Sequence, residues 1–158
     1  LLINSMRKIS EEIKLIIIGD GFIKEELQEL TKKLNLIQRV KFIDKVPLDK
    51  LLYHTSGADL GINLLENLNL SKKLASPNKL YEYIHAGIPV ICSNTIENKK
   101  VIDRYKIGCL VNNNIDDISH KINTFMMKDM KSNKLECKRA VEKYNWENQE
   151  DKLFDIVR

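Results

Sequence analysis

The sequence predicts an α/β fold, a parallel sheet with helices on both faces, and three observations predict it. Short apolar runs rich in Ile and Val recur along the 158 residues, bounded by turn residues and too short for helices. Segments of about ten residues with apolar positions three and four apart separate those runs. Gly19, Gly21, Gly57 and Gly87 fall at element ends, where backbone freedom or close approach is useful. Strands alternating with helices of that length are joined by crossovers and so run parallel.

Taken in order, Leu1 to Ser10 reads as the end of an amphipathic helix, with Leu2, Met6 and Ile9 at helical spacing. Ile13 to Ile18 is a buried strand that stops at Gly19-Asp20-Gly21. Ile23, Leu27, Leu30 and Leu34 mark one face of a helix whose other face is Lys and Glu. Val40 to Ile43 is the second strand. Pro47 opens a helix through about Ser56, since a residue lacking N–H loses nothing in the first turn, and Gly57 ends it. Ala58, Leu60, Ile62 and Leu64 alternate over a third strand, and Glu66 to Ser76 is a polar loop without period. Pro77 starts a helix over Asn78 to Ala86, closed by Gly87. Pro89 to Cys92 is the fourth strand and Ile107 to Val111 the fifth. Between them Thr95 to Tyr105 is a helix with Ile96, Val101 and Ile102 inward. The remainder is helical: Ile118, Ile122 and Phe125 on one face, Leu135, Ala140 and Val141 on another. Trp146 packs a last amphipathic segment with Leu153 and Ile156.

The length suits one domain, and with aromatics at 6% its core must be Leu, Ile and Val. The net charge of +4 comes from scattered lysines, so no nucleic-acid partner is expected, and only weak attraction to anionic lipid headgroups is left open. No apolar run is long enough to span a membrane, and no signal peptide is visible. The chain opens on Leu1-Leu2 with a helix already under way, which reads as a piece of a longer protein. Cys92, Cys109 and Cys137 have no C-x-x-C spacing and read as reduced thiols of a cytosolic protein. His54, His85 and His120 lack companions at metal-ligand spacing, so no metal is expected. No Ser/His/Asp arrangement suggests a nucleophile.

Two segments can carry chemistry, since ligands of such sheets bind outside the carboxyl ends of the strands. Gly19-Asp20-Gly21 lets a ligand approach the backbone, or is plain turn chemistry; Lys24 stands where a dinucleotide fingerprint needs a third glycine. Ser76-Pro77-Asn78-Lys79-Leu80-Tyr81-Glu82 is more informative. Pro77 fits the first helical turn, leaving the amides of Asn78, Lys79 and Leu80 unpaired at a helix start that favours a phosphate. Lys79 would add a charge, and Glu82 one turn on would accept ribose hydroxyls. Equally, Lys79 and Glu82 form an ordinary surface pair three residues apart, and physics alone leaves the two readings even.

The segments LIIIGDG, RVKFIDKVP, LLYHTSGADLGINLL, SPNKLYEYIHAGIPVICS and YNWENQEDKL, in that order, resemble family 4 glycosyltransferases from end to end. The Pro-Asn-Lys-Leu version resembles a branch common in capsule and lipopolysaccharide biosynthesis in bacteria. The resemblance implies that residues 1–158 are the C-terminal, Rossmann-like half of a GT-B fold, a nucleotide-sugar-binding domain whose first strand and acceptor-binding partner domain precede Leu1. It therefore implies a break in the sheet between the first and third strands seen here. The implied activity is retaining transfer from a nucleotide-diphosphate sugar to a saccharide or lipid-linked acceptor. It would need no cofactor and take place in the cytoplasm or on the inner membrane face. By position Glu82 matches the second of two glutamates, the one that holds the ribose, and Asn78, Lys79 and Leu80 match the helix start that meets the diphosphate. Ser76 and Pro77 match the turn beside the donor sugar, Gly19 and Gly21 the glycines near the donor cleft, and Ile43, Asp44 and Val46 the strand end bordering the base. Two positions depart: the first glutamate falls at Leu74, with Glu66 a candidate substitute, and Asp44 replaces the usual glycine. A sugar-nucleotide 2-epimerase of the same architecture and a non-catalytic flavodoxin-like binding domain are the alternatives, since shared fold does not assign function.

Overall fold

The computed structural model describes residues 1–65, 78–148, 150 and 154. Glu66, Leu74, Ser76, Pro77, Leu153 and Ile156 lie outside the described residues. The chain divides into two compact units, residues 1–51 with 111–128 and residues 52–110 with 129–158. Helix α3 (Leu48–Ser56) and strand β5 (Gly108–Val111) carry the chain from one unit to the other.

The first unit holds α1 (Leu2–Ser5), a 3-10 turn (Met6–Lys8), β1 (Leu15–Ile18), α2 (Lys24–Lys33), β2 (Val40–Ile43) and α6 (Ile115–Met126). β1 and β2 pair in parallel, Leu15 opposite Val40 through Ile18 opposite Ile43. α6 packs against α1, burying Ile118, Ile122 and Phe125 as the spacing predicts. Its start is capped by Asn114, whose Oδ1 accepts the Asp117 N–H at 2.8 Å. The connection into β1 is held from two sides. The Arg39 guanidinium donates to the carbonyls of Met6, Ile9 and Ser10 at 3.0, 3.0 and 2.6 Å, and Asn123 of α6 accepts from Ser10 N–H and donates to Lys8 C=O, both at 2.9 Å. Backbone groups with no ladder partner are thereby satisfied by side chains.

The second unit holds β3 (Gly61–Asn63), α4 (Asn78–His85), β4 (Val90–Ser93), α5 (Ile96–Tyr105) and α7 (Lys131–Lys143), with most of β5. Its sheet has the order β3-β4-β5, with β3 and β4 parallel. All four residues of β4 are buried, as expected for a central strand covered on both faces. Leu80 and Ile84 of α4, Val101 and Ile102 of α5, and Cys137 and Ala140 of α7 form the core with Val90, Cys92 and Ile107. α4 ends at Gly87, whose φ of 71° lets Gly87 N–H reach Ile84 C=O and Ile88 N–H reach Tyr83 C=O, at 3.0 and 3.1 Å.

β1 and β3 belong to different sheets. Several local expectations are corrected. β3 spans only three residues, because its register with β4 covers Gly61 opposite Val90 to Asn63 opposite Cys92 and no further. Ile96 is 52% exposed: it is the first residue of α5, and Asn98 turns inward instead, its Nδ2 donating to Ser93 C=O at 2.8 Å. Leu135 and Trp146 are exposed, and Cys137 takes the inward place on α7. Ile23 precedes α2 and is exposed, so that helix's apolar face begins at Leu27.

Candidate functional site

The turn after β1 is built by its two glycines. Gly19 N–H donates to Ile43 C=O at 3.0 Å, extending the ladder one step, and its φ of 144° is open to glycine and strained for other residues. Asp20 Oδ1 accepts the Gly21 N–H at 3.0 Å, and Lys24 N–H returns to Gly21 C=O at 3.1 Å, opening α2. The parallel register that sets Gly19 beside Ile43 also brings Asp44 to this turn. There Lys24 Nζ hydrogen-bonds Asp44 Oδ1 and lies 3.8 Å from Asp20 Oδ1. The hydrogen bond from Lys24 holds the Asp44 carboxyl below the ordinary aspartate value, and the same bond raises the Lys24 ammonium above its own. With the Asp44 side chain 94% exposed, solvent screens the pair. Asp20, Gly21, Phe22, Lys24, Glu25, Gln28 and Asp44 line an open cleft. Val46 follows, half-buried, before α3.

In the second unit α4 presents Asn78 and Lys79 to solvent while Leu80 is wholly buried, so whatever Leu80 offers a ligand comes from its backbone. Glu82 is half-buried, and its Oε2 takes a 3.0 Å hydrogen bond from Lys79 Nζ. The surface pair foreseen as one of the two readings is thus formed. It is worth about 0.2–0.5 kcal/mol and leaves both groups at the surface. Other contacts fix the helix. Tyr83 Oη donates to Ile62 C=O at 3.2 Å, Tyr81 meets the Tyr144 ring edge-on at 5.1 Å, and His85 Nε2 lies 2.7 Å from Tyr144 C=O. The first turn of α4 is therefore partly exposed and carries a lysine and a carboxylate.

Three features were not found from the sequence. The Lys24–Asp44 pair joins residues twenty apart, and its trace was the coincidence of Lys24 and Asp44 at two positions where the motifs have glycine. Phe22 is fully exposed at the cleft. A buried polar cluster closes the carboxyl ends of β3 and β4. Ser93 Oγ accepts Leu65 N–H at 2.8 Å, and Thr95 Oγ1 accepts Asn98 N–H at 3.2 Å. Asn63 Nδ2 and Asn98 Oδ1 have no hydrogen-bond partner among the described residues.

Burial pushes the Cys92 thiol up to about 12 and Cys137 to about 11, which removes both as nucleophiles at neutral pH. None of the three cysteines forms a disulfide. Among the described residues no group of three His, Cys, Asp or Glu is placed to hold a metal, and no helix is long and apolar enough to cross a membrane.

Comparison with known proteins agrees with this architecture. An uncharacterized glycosyltransferase of Methanocaldococcus jannaschii is 37% identical over 98 residues, covering 59% of this chain and 22% of that protein. Among solved structures, Anabaena HepE in complex with UDP-glucose superposes with a TM-score of 0.82 at 16% identity, covering 99% of this chain and 43% of that one. WaaG, a glycosyltransferase involved in lipopolysaccharide biosynthesis, gives a TM-score of 0.76 at 16% identity over 99% of this chain and 42% of its own. Sucrose-phosphate synthase of Thermosynechococcus elongatus gives 0.79 at 19%, over 99% and 41%. The chain thus spans about a fifth of the curated relative and about two fifths of these structures. The family described as glycosyl transferases group 1 matches residues 1–143, and the chain belongs to that family.

Proposed function

We propose that this chain is the donor-binding part of a retaining glycosyltransferase, one that takes a sugar from a nucleoside diphosphate and delivers it to a surface-polysaccharide precursor. The observation that carries the reading is the start of α4: exposed Asn78 and Lys79 above a buried Leu80, with Glu82 one turn on, in a chain of this family. The amides of Asn78, Lys79 and Leu80 and the Lys79 ammonium receive the diphosphate, and Glu82 accepts the ribose hydroxyls. Ser76 and Pro77 border the donor sugar in this reading. The family resemblance assigns Gly19, Gly21, Ile43, Asp44 and Val46 to the nucleoside. Lys79 exchanges its Glu82 partner for phosphate, freeing the carboxylate for the ribose. Catalysis is then chiefly electrostatic, the helix start and Lys79 stabilising charge on the departing diphosphate without a cofactor.

That HepE is crystallised both with UDP and with UDP-glucose supports a nucleotide sugar as donor. The acceptor is held by a further domain, which reaches the membrane surface if the precursor is lipid-linked. The 158 residues alone therefore bind donor without turnover, and transfer measured with this chain would contradict that point. The reading is tested by calorimetric titration of UDP, then GDP, into the chain and its Glu82→Ala variant. One nucleotide is expected to bind, with affinity falling about 10- to 100-fold in the variant, the loss of a charged hydrogen bond. Equal affinity in the variant would remove Glu82 from the ribose, and binding of neither nucleotide would overturn the reading.

A further inference from the structure

Tyr83, the residue after Glu82, seats α4 on β3. Its ring lies over Gly61: a Cβ added to that glycine would stand 2.5, 2.6 and 2.7 Å from three ring carbons, closer than side-chain atoms approach. Gly61 has no positive φ that would demand glycine. What the position requires is the missing side chain, whose place the tyrosine ring takes. The hydroxyl then donates to Ile62 C=O at 3.2 Å. Gly61 N–H donates to Pro89 C=O at 2.8 Å, so the alternation of a parallel ladder turns the Ile62 C=O away from β4. Tyr83 supplies that carbonyl with a donor.

A half-buried tyrosine between a helix and a strand is most often packing with a satisfied hydroxyl. Its place on the helix distinguishes this one. Leu80 and Ile84 seat α4 on the core through apolar contact, which has no preferred direction about the helix axis. The Tyr83 hydrogen bond is directional. It holds one flank of the buried face, while Tyr81 and His85 hold the other against Tyr144. All of these residues belong to the second unit. Glu82 lies about 100° around the helix from Tyr83. A turn of the helix on its core face swings the Glu82 carboxylate, so the bond to Ile62 fixes where that carboxylate points.

We infer that Tyr83 is a positioning residue for Glu82: anchored on Gly61 and Ile62, it sets the orientation in which Glu82 accepts the ribose hydroxyls. The inference rests on the proposed nucleotide-sugar function and assigns that site a residue that acts on the donor without touching it.

The test is a double-mutant cycle, read by calorimetric titration of UDP and GDP into the chain, Tyr83→Phe, Glu82→Ala and the double variant. Phenylalanine keeps the ring over Gly61 and removes only the hydroxyl, so this variant should stay folded, with a slightly lower melting temperature. Tyr83→Phe is expected to weaken the bound nucleotide about 3- to 10-fold, the range for loss of one hydrogen bond between neutral groups. In the Glu82→Ala background the same substitution should change affinity by less than about 2-fold, because the carboxylate it positions is gone. If Glu82→Ala weakens binding while Tyr83→Phe leaves it unchanged, this inference is overturned and the nucleotide reading stands. Equal weakening by Tyr83→Phe with and without Glu82 would also overturn it, by showing that the tyrosine acts on the fold at large. Equal binding by Glu82→Ala and the parent would remove Glu82 from the ribose and this inference with it, and no nucleotide binding by the parent would overturn both.

Discussion

The runs Leu15–Ile18 and Val90–Ser93 look alike in the sequence, each short, apolar and followed by a helix, yet they have different fates. β4 lies between β3 and β5 with every residue buried, whereas among the described residues β1 pairs with β2 alone and leaves Ile16 55% exposed. Composition made both of them strands. What separates them is the number of neighbours each strand has, and that is set by parts of the chain far away. The contrast extends to the backbone. β4 is approached so closely by β5 that a Cβ on Gly108 would lie 1.7 Å from the Val90 carbonyl oxygen, while a Cβ on Gly19 or Gly21, after β1, would meet nothing within 4 Å.

The largest effect should therefore come at the crowded seam. Gly108→Ala sets a side chain against backbone that cannot yield, and urea denaturation should show a loss of more than about 3 kcal/mol. Next, Ile91→Ala in β4 should cost roughly 3 kcal/mol, the range for a wholly buried isoleucine. Ile16→Ala in β1 should cost less than about 1 kcal/mol, because that side chain already meets water. Equal costs at Ile91 and Ile16 would break the comparison. A smaller, pH-dependent effect sharpens it. The buried Cys92 thiol ionises only at about 12, against 9.0 ordinarily, so its contribution is complete below pH 9. As pH rises further the unfolded thiol ionises while the folded one does not, and stability falls by about 1.4 kcal/mol per pH unit. Removing this group in Cys92→Ala should flatten the alkaline slope by that amount, and an unchanged slope would show that the thiol is not held neutral.

Much of the fold was legible because its signals are local. Val40–Ile43 matches its predicted span, α3 follows Pro47, and α4 begins after Pro77 and stops before Gly87. Periodicity does not say which turn of a helix meets a neighbour, so Ile96, Leu135 and Trp146 were assigned inward and lie outward. Of the candidate site, the glycine turn and the start of α4 could be read from glycine, proline and charge. The Lys24–Asp44 pair could not, since it depends on the register of β1 against β2. Nor could Asn98, because a buried asparagine held by Ser93 C=O has the same local sequence as an exposed one.

The central claim is that a nucleotide meets the first turn of α4, and backbone amide resonances test it most directly. Titrating UDP and GDP into the isotope-labelled chain should move the amide signals of Asn78, Lys79 and Leu80 most, with inorganic pyrophosphate moving the same three. If those signals stay in place at saturating nucleotide while others shift, the donor binds elsewhere and the assignment of α4 fails.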